Sequence, residues 1–236
     1  MKIIAIIPAR HGSKRLFGKP LIEIHGKPLM QLTYEAVLQS NLFDFILLTT
    51  ESNKIKKVAT DFGATCIITS EKNKNGTERC AELIGGLNWE FNKKDIIINI
   101  QCDEPFIQKK HLQKVINLFQ KNAKIGTLIS PIEKSEILDP SIVKLNTNTN
   151  NHAIDFTRDV TKLKKGYKIY KHIGVYGYTH STLMEVSKLM RTKREEKEKL
   201  EQLRWLENNY LIHCAYIEDN IQSINTKNDI KKINKI

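Results

Sequence analysis

The sequence is poor in the features that mark secreted, zinc-bound or membrane-spanning chains. It has four cysteines among 236 residues, and no two of them stand in the C-x-x-C spacing of a structural zinc site. Such sparse cysteines argue against a disulfide framework and favour a reducing compartment. The apolar runs fall far short of the ~20 residues that a membrane-spanning helix needs. Since Met1 leads directly into an apolar run, we expect a cytoplasmic protein without a signal peptide or membrane partner.

Acidic residues are scarce relative to basic ones, with 26 Asp and Glu against 38 Lys and Arg and a formal net charge of +12. A basic balance of this size makes nucleic-acid binding one hypothesis. However, the lysines are spread thinly, and no predicted helix face gathers them with interleaved aromatic residues, which are only 7% of the sequence. We therefore interpret most of the charge as solvated surface and expect no nucleic-acid partner.

The first twenty residues combine a buried strand with a cationic loop. Residues 2–7 form an Ile-rich run typical of a strand covered on both faces, and Pro8 ends it. The loop that follows carries four cations beside glycines, namely Arg10, Lys14, Arg15 and Lys19. It matches neither the P-loop nor the Gly-x-Gly-x-x-Gly pattern. A basic loop that merely faces solvent is the alternative, but its position after a first strand favours polyphosphate binding.

The order of predicted elements indicates an α/β fold. Strands and helices alternate through the first half, which predicts a Rossmann-like, mainly parallel sheet flanked by helices. The strands are predicted at 2–7, 43–49, 65–68, 95–100 and 125–132, and the helices at 29–38, 53–62, 77–87 (with Thr77 as cap) and 107–119. Short strands then follow one another and predict an antiparallel excursion. These later strands are predicted at 143–145, 153–157, 170–178 and 210–216, and the helices at 181–191 (with Ser181 as cap), 194–208 and 227–236.

Three further stretches carry candidate chemistry. Asp103 and Glu104 follow the fourth strand, where carboxylates suit Mg²⁺ and substrate phosphates, although Asp-Glu-Pro is also ordinary turn chemistry. Residues 75–79 begin a helix, whose amides attract anions, although a plain capped helix has the same pattern. His172 lies in a stretch rich in tyrosine and glycine, where a structural histidine is the alternative to a ligand-binding one.

Taken together, these stretches resemble the 3-deoxy-manno-octulosonate (Kdo) cytidylyltransferase family of the nucleotide-sugar transferase superfamily. The resemblance runs nearly end to end. The motifs that carry it are Ile6-Ile-Pro-Ala-Arg10, Gly12-Ser-Lys-Arg-Leu16, Gly18-Lys-Pro-Leu21, Gly76-Thr-Glu-Arg79, Gln101-Cys-Asp-Glu-Pro105, His172-Ile-Gly-Val-Tyr-Gly-Tyr178 and Leu200-Glu-Gln-Leu-Arg204. The combination of the Gly-Thr-Glu-Arg and Leu-Glu-Gln-Leu-Arg motifs separates this family from the sialic-acid activators.

The resemblance implies transfer of CMP from CTP to Kdo, with release of pyrophosphate, for lipopolysaccharide or capsule synthesis. CTP-binding residues would be Pro8, Ala9, Arg10, Ser13, Arg15, Lys19, Arg79 and Gln101. Sugar-binding residues would be Gln101, Arg158, His172, Tyr176, Glu201 and Gln202. Asp103 and the residue at 225 would hold Mg²⁺, and Asp103, Lys19 and Arg10 would be catalytic. The resemblance also implies one domain, with a nucleotide-binding half (1–132) and a sugar-binding half (133–236) whose tyrosine-rich segment helps form a homodimer.

The chain departs from the family pattern at several positions. Cys102 replaces a glycine, Lys171 replaces an arginine, and Asn225 replaces the aspartate that is the second metal ligand. An amide keeps an oxygen but loses the charge, which predicts weaker metal binding. Because the nucleotide half follows the pattern more closely than the sugar half, two alternatives stay open: a modified Kdo or another keto sugar acid as acceptor, and a degenerate relative that binds nucleotide without catalysis.

Overall fold

A nine-stranded sheet lies at the centre of the computed structural model, which describes residues 1–12 and 16–233. Its strands, with a separate hairpin of β2 and β3, are β1 (Ile3–Pro8), β2 (Glu23–Ile24), β3 (Lys27–Pro28), β4 (Phe45–Thr50), β5 (Cys66–Ile68), β6 (Ile96–Ile100), β7 (Ile125–Ser130), β8 (Lys144–Thr147), β9 (Ala153–Thr157), β10 (Ile169–Thr179) and β11 (Ile212–Tyr216). The α-helices are α1 (Leu29–Gln39), α2 (Asn53–Asp61), α3 (Gly76–Gly86), α4 (Lys109–Gln120), α5 (His180–Val186), α6 (Lys193–Glu198), α7 (Gln202–Glu207) and α8 (Lys227–Ile233). In the described part of the chain, these helices are too short or too polar for a membrane span.

The sheet confirms the predicted mixture of parallel and antiparallel pairing. Its main path has the order β11-β7-β10-β6-β1-β4-β5. β1 pairs in parallel with both β4 and β6, and β4 pairs in parallel with β5. β10 enters antiparallel between β6 and β7, and β8 and β9 extend from it as the predicted excursion. Since β1 and β6 are parallel neighbours, the loops that follow Pro8 and Ile100 leave the sheet side by side.

The apolar residues of β1 explain why the sheet is covered on both faces. Alternate side chains of a strand point to opposite faces. Ala5 and Ile7 pack with apolar residues of α1, α2 and α4, whereas Ile4 and Ile6 pack with those of α3, α5 and α7. The continuous Ile-rich run is therefore the sequence of a central strand rather than of an edge strand.

The predicted long helix over residues 194–208 is wrong. The segment forms two short helices, α6 and α7, and Lys199 between them has a left-handed backbone (φ 55°) that ends α6. Leu200, just after this break, is buried in the core beneath the cavity described below. Burial of that side chain therefore takes precedence over the helix-forming preference of the charged residues around it.

Two predicted caps and one helix end also differ. Asn75, rather than Thr77, caps α3 by accepting a hydrogen bond from the amide of Glu78 (2.8 Å). Thr179, rather than Ser181, caps α5. α5 ends at Val186, earlier than predicted, and the carbonyl of Leu189 beyond it accepts a hydrogen bond from Arg204 (2.7 Å). A guanidinium from another segment thus satisfies this carbonyl.

Gly177, in the middle of β10, is a position where the packing excludes a side chain. An added Cβ would lie 2.6 Å from Cε2 of Phe119 and 2.9 Å from Cδ1 of Ile98. We expect Gly177→Ala to lower the free energy of unfolding by about 1–3 kcal/mol, measured by urea denaturation, because overpacking forces side chains from their preferred rotamers. Gly86→Ala is the matched control, since a Cβ there meets nothing within 4 Å. Equal stability of the two variants would contradict this interpretation of the packing.

Candidate active site

A cavity of about 630 Å³ opens where the loops after β1 and β6 leave the sheet. Its wall is built from the end of β1, the start of α3, the loop after β6, the middle of β10, the link between α6 and α7, and the segment before α8. The structure brings together eleven of the predicted site residues here: Pro8, Arg10, Arg79, Gln101, Asp103, Arg158, His172, Tyr176, Glu201, Gln202 and Asn225.

The remaining predicted site residues lie elsewhere or outside the described part of the chain. Ala9 is fully buried beside the cavity, and its amide donates to the carbonyl of Thr49 (2.8 Å). Lys19 lies behind Asp103, which it reaches with its ammonium group. Ser13 and Arg15 are outside the described residues.

Asp103 and Lys19 form an ion pair at the edge of the cavity. Lys19 begins a short 3-10 helix whose start is set by Gly18, which has a left-handed backbone (φ 66°) suited to glycine. The Lys19 ammonium contacts Oδ2 of Asp103, and both side chains are largely buried. A fixed ammonium beside an open cavity is a suitable partner for phosphate oxygens. Arg10, which is exposed on the adjacent loop, adds a second cation to this end of the cavity.

The oxygen atoms at this end fit Mg²⁺ rather than a transition metal. Asp103 and Asn225 line the same cavity, and the described residues contain no cluster of three His, Cys, Asp or Glu side chains that could hold a metal ion. Mg²⁺ is commonly held by one or two carboxylates together with substrate phosphates and water, rather than by a complete protein cage. A carboxylate and an amide oxygen that line one cavity match that pattern.

Arg79 is held by buried partners on one side of the cavity. Its guanidinium forms an ion pair with Glu51 (3.0 Å) and donates to the hydroxyl of Thr69 (2.6 Å). Glu51 also accepts a hydrogen bond from the amide of His11 (2.8 Å). Glu51 therefore connects Arg79 to the loop after β1, a role that sequence reasoning missed because this carboxylate follows β4 without any motif around it.

His172 is a neutral hydrogen-bonding group in this cavity. Burial, and then the charge of Arg158, lowers the pKa of His172 to about 3. The hydroxyl of Thr127 donates to the carbonyl of Val175 (2.8 Å), so the contact between that hydroxyl and Nε2 of His172 (3.0 Å) must use the imidazole hydrogen. Nδ1 is then an acceptor that suits a sugar hydroxyl.

Two tyrosines that follow His172 on β10 are buried in the core. Tyr176 packs against the His172 ring (5.0 Å between ring centres) and against Trp205, and Tyr178 also packs against Trp205. Tyr176 and Tyr178 are buried within the chain itself. The expectation that this part of the tyrosine-rich segment forms a dimer interface is therefore wrong, because it lies in the centre of the sheet.

Two polar residues of the cavity, Glu136 and Asn220, were missed by sequence reasoning. The ammonium of Lys171 is held by Glu136 (2.6 Å) and by the side-chain oxygen of Asn220 (2.9 Å). Arg158 donates to the carbonyls of Pro140 (3.2 Å) and Ser141 (2.7 Å). These contacts hold the loop between β7 and β8 against the cavity, and no local pattern marks residues so far apart in the chain as partners.

Glu201 is a half-buried carboxyl group on the opposite wall. The break between α6 and α7 places it at the start of α3, where its Oε2 accepts a hydrogen bond from the amide of Thr77 (3.2 Å). Burial raises the pKa of Glu201 to about 7, and the hydrogen bond from Thr77 opposes that rise. Near neutral pH, this group exists as a mixture of carboxylate and carboxylic acid.

We expect this raised pKa to appear in the pH dependence of stability. The ordinary pKa of Glu201 is 4.5, so between about pH 4.5 and 7 the folded chain keeps a proton that the unfolded chain has lost. The free energy of unfolding therefore falls as the pH rises through this range, by up to about 3 kcal/mol relative to a variant that cannot titrate. Urea denaturation of Glu201→Gln and the unmodified chain at pH 4.5–8 measures the difference.

The exposed Glu196 on α6 provides the control, since Glu196→Gln changes the same chemical group without burial. The free energy of unfolding of Glu196→Gln is expected to follow that of the unmodified chain at every pH. Parallel curves for all three proteins would contradict the assignment to Glu201.

Comparisons with known proteins identify the family of the chain. Residues 4–221 match the sequence profile described as cytidylyltransferase. The 3-deoxy-manno-octulosonate cytidylyltransferase of Parabacteroides distasonis is 36% identical over 98% of this chain and 96% of its own length. The 8-amino-3,8-dideoxy-manno-octulosonate cytidylyltransferase of Shewanella frigidimarina is 35% identical over 98% of this chain and 97% of its own length.

A solved structure of CMP:2-keto-3-deoxy-manno-octonic acid synthetase complexed with CTP has the same fold. It superposes with a TM-score of 0.87 at 30% identity, and the match covers 100% of this chain and 98% of the other. The profile, the relatives and the structure thus cover nearly the whole chain. The chain therefore belongs to the cytidylyltransferase family that includes the 3-deoxy-manno-octulosonate cytidylyltransferases.

Proposed function

We propose that this chain transfers CMP from CTP to the anomeric hydroxyl of Kdo and releases pyrophosphate. The observation that carries the proposal is one cavity that has Asp103, paired with Lys19 behind it, at one end and the polar groups of His172, Glu201 and Gln202 at the other. The first end suits a triphosphate and the second suits a polyhydroxylated acid. A cavity of this size and polarity can hold both substrates next to each other.

In the proposed reaction, the anomeric oxygen of the sugar attacks the α-phosphorus of CTP. The bond between that phosphorus and the bridging oxygen breaks, its electron pair leaves with pyrophosphate, and the proton of the anomeric hydroxyl is released to solvent. Negative charge grows on the phosphate oxygens, where Lys19 and Arg10 supply fixed positive charge. The remaining contribution comes from holding the two substrates in line, so no covalent intermediate with the protein is needed.

Asp103 and Asn225 are the residues that would hold Mg²⁺ in this proposal. When bound, Mg²⁺ would reduce the negative charge of the triphosphate. The Asp103 carboxylate would balance positive charge at this end of the cavity, as it does for Lys19 in this structure. Asn225 would contribute its amide oxygen without charge.

At the other end, the sugar acid would be held mainly by hydrogen bonds. Nδ1 of His172 would accept from a hydroxyl, and Glu201 and Gln202 would line the opposite side. Arg158, which lines the same cavity, would lie near the sugar carboxylate. We further propose that the enzyme is a cytoplasmic homodimer and that its product serves lipopolysaccharide or capsule synthesis.

The direct test is pyrophosphate release with CTP, Mg²⁺ and Kdo, with the nucleotide product identified by ³¹P NMR. Release by the unmodified chain would support the reaction and would mean that an amide suffices at position 225. Release by Asn225→Asp alone would mean that the sugar site is intact and the metal site impaired. No release by either protein with Kdo or another 2-keto sugar acid would refute the proposal, and CTP binding would then favour the non-catalytic alternative.

A modified Kdo is the second candidate acceptor. The relative from Shewanella frigidimarina carries the 8-amino sugar in its name, and its identity to this chain differs by one percentage point from that of the Kdo-named relative. Overall identity therefore does not separate the two acceptors. Competition between Kdo and its 8-amino analogue, read as the ratio of kcat/KM values, decides between them. A ratio strongly in favour of the amino sugar would mean that the amino sugar, rather than Kdo, is the substrate.

A further inference from the structure

The segment between β11 and α8, residues 217–226, forms one wall of the cavity. Asn220, Gln222, Ser223 and Asn225 all line it. The segment has no regular secondary structure. Its position relative to the sheet therefore depends on individual contacts rather than on a ladder of backbone hydrogen bonds.

Glu104 contacts this segment two residues before Asn225. Its side chain is only 3% exposed, at the carboxyl end of β6. Its Oε1 accepts hydrogen bonds from the hydroxyl of Ser223 (2.7 Å) and from the amide of Gly174 (2.9 Å). One carboxylate oxygen thus connects β10 to the segment that carries Asn225.

The neighbouring residue makes a second connection to the same segment. The amide of Ile224 donates to the carbonyl of Asp103 (3.0 Å), and the Ile224 side chain is fully buried. The pair Asp103–Glu104 therefore contacts two consecutive residues immediately before Asn225. Both contacts attach the segment to the loop after β6 directly before Asn225.

The surroundings of Glu104 are built around its carboxylate. A Cβ on Gly174 would lie 2.7 Å from Oε1 of Glu104, so only glycine leaves room for the side chain in this position. Oε2 of Glu104 is buried and, among the described residues, has no hydrogen-bond partner. Leaving a buried acceptor unpaired is unfavourable for folding. A residue that carries this cost and still holds two elements together is a candidate for a functional constraint.

We propose that Glu104 is a positioning residue, which holds Asn225 beside Asp103 through the hydroxyl of Ser223. The proposal rests on the proposed function, because Asn225 and Asp103 are there the groups that hold Mg²⁺ and the nucleotide. In this proposal Glu104 acts through Ser223 on the position of Asn225, rather than on the substrate. Its role is to keep residues 217–226 in the position that completes the cavity.

Two variants test this role by removing different parts of the contact between Glu104 and the segment. Glu104→Ala removes both hydrogen bonds, whereas Ser223→Ala removes only the donor on the segment and leaves the buried carboxylate in place. Glu104→Gln keeps an acceptor oxygen of the same shape and is the conservative variant. Ser187→Ala is the matched control, because its hydroxyl contacts the carbonyl of Met184 on α5, away from the cavity.

Hydrogen–deuterium exchange of residues 217–226 is the first readout. Exchange is expected to rise about tenfold or more in Glu104→Ala and Ser223→Ala, and to stay near the unmodified level in Glu104→Gln and Ser187→Ala. Affinity for Mn²⁺ in the presence of CTP, measured by electron paramagnetic resonance, is the second. We expect a loss of about 10- to 100-fold in the first two variants, the range found for partners that orient metal ligands.

Unchanged exchange and unchanged Mn²⁺ affinity in Ser223→Ala would overturn the proposal, whether or not Glu104→Ala folds. The exchange readout needs neither metal nor turnover. Failure of the proposed function would instead appear as absent pyrophosphate release by the unmodified chain, with the difference in exchange between variants still present. The two failures are therefore distinguishable.

Discussion

Asp103→Asn is expected to lower kcat/KM for pyrophosphate release by about 10²–10³-fold, the range typical for loss of one electrostatic group at a developing charge. Asp103 is the carboxylate that contacts Lys19 at the end of the cavity where we propose that the triphosphate binds. Because position 225 is already an amide in this chain, the substitution leaves the proposed metal-holding pair without any negative charge. We therefore expect the loss to appear in both the affinity for Mn²⁺ and the rate at saturating CTP.

The control for this prediction is Asp61→Asn, which makes the same chemical change on the exposed end of α2. It is expected to keep full activity. Thermal unfolding of both variants checks that the fold is intact. If Asp103→Asn retained half of the unmodified activity or more, the proposed role of Asp103 in the reaction would be refuted.

The parallel part of the fold could be predicted because its signals are local. The Ile-rich run of β1 and the similar run of β6 are each buried on both faces, and each is followed by a polar loop. A run of consecutive apolar residues in the sequence is sufficient to predict a buried strand. The position of the cavity followed from the same reasoning, because the carboxyl ends of parallel neighbours meet at one edge of the sheet.

The polar contacts of the cavity could not be predicted in the same way. Glu104 contacts Ser223, 119 residues later, and Glu201 contacts Thr77 at a separation of 124 residues. The periodicity of apolar residues indicates which side chains are buried. It does not indicate which buried polar groups contact one another in the folded chain. The resemblance identified Glu201 as a site residue, yet the break at Lys199 that places it there came only from the structure.

Arg204 in the Leu-Glu-Gln-Leu-Arg motif gives the largest expected effect on stability. Its guanidinium is 3% exposed and donates to Glu195 (2.8 Å) and Glu78 (3.2 Å) as well as to the carbonyl of Leu189. We expect Arg204→Met to lower the free energy of unfolding by about 3–5 kcal/mol, because it leaves the buried carboxylate of Glu195 without its partner. Urea denaturation near neutral pH measures this loss.

The double variant Arg204→Met with Glu195→Met separates the ion pair from the packing around it. Replacing both partners with apolar side chains of similar volume removes the unpaired charge, so we expect most of the lost stability to return. If the double variant were as unstable as Arg204→Met alone, the contacts of Arg204 with Glu78 and Leu189 would carry the effect instead. Because Glu201 lies between α6 and α7 and Gln202 begins α7, activity should follow stability: reduced in the single variant and largely restored in the double variant.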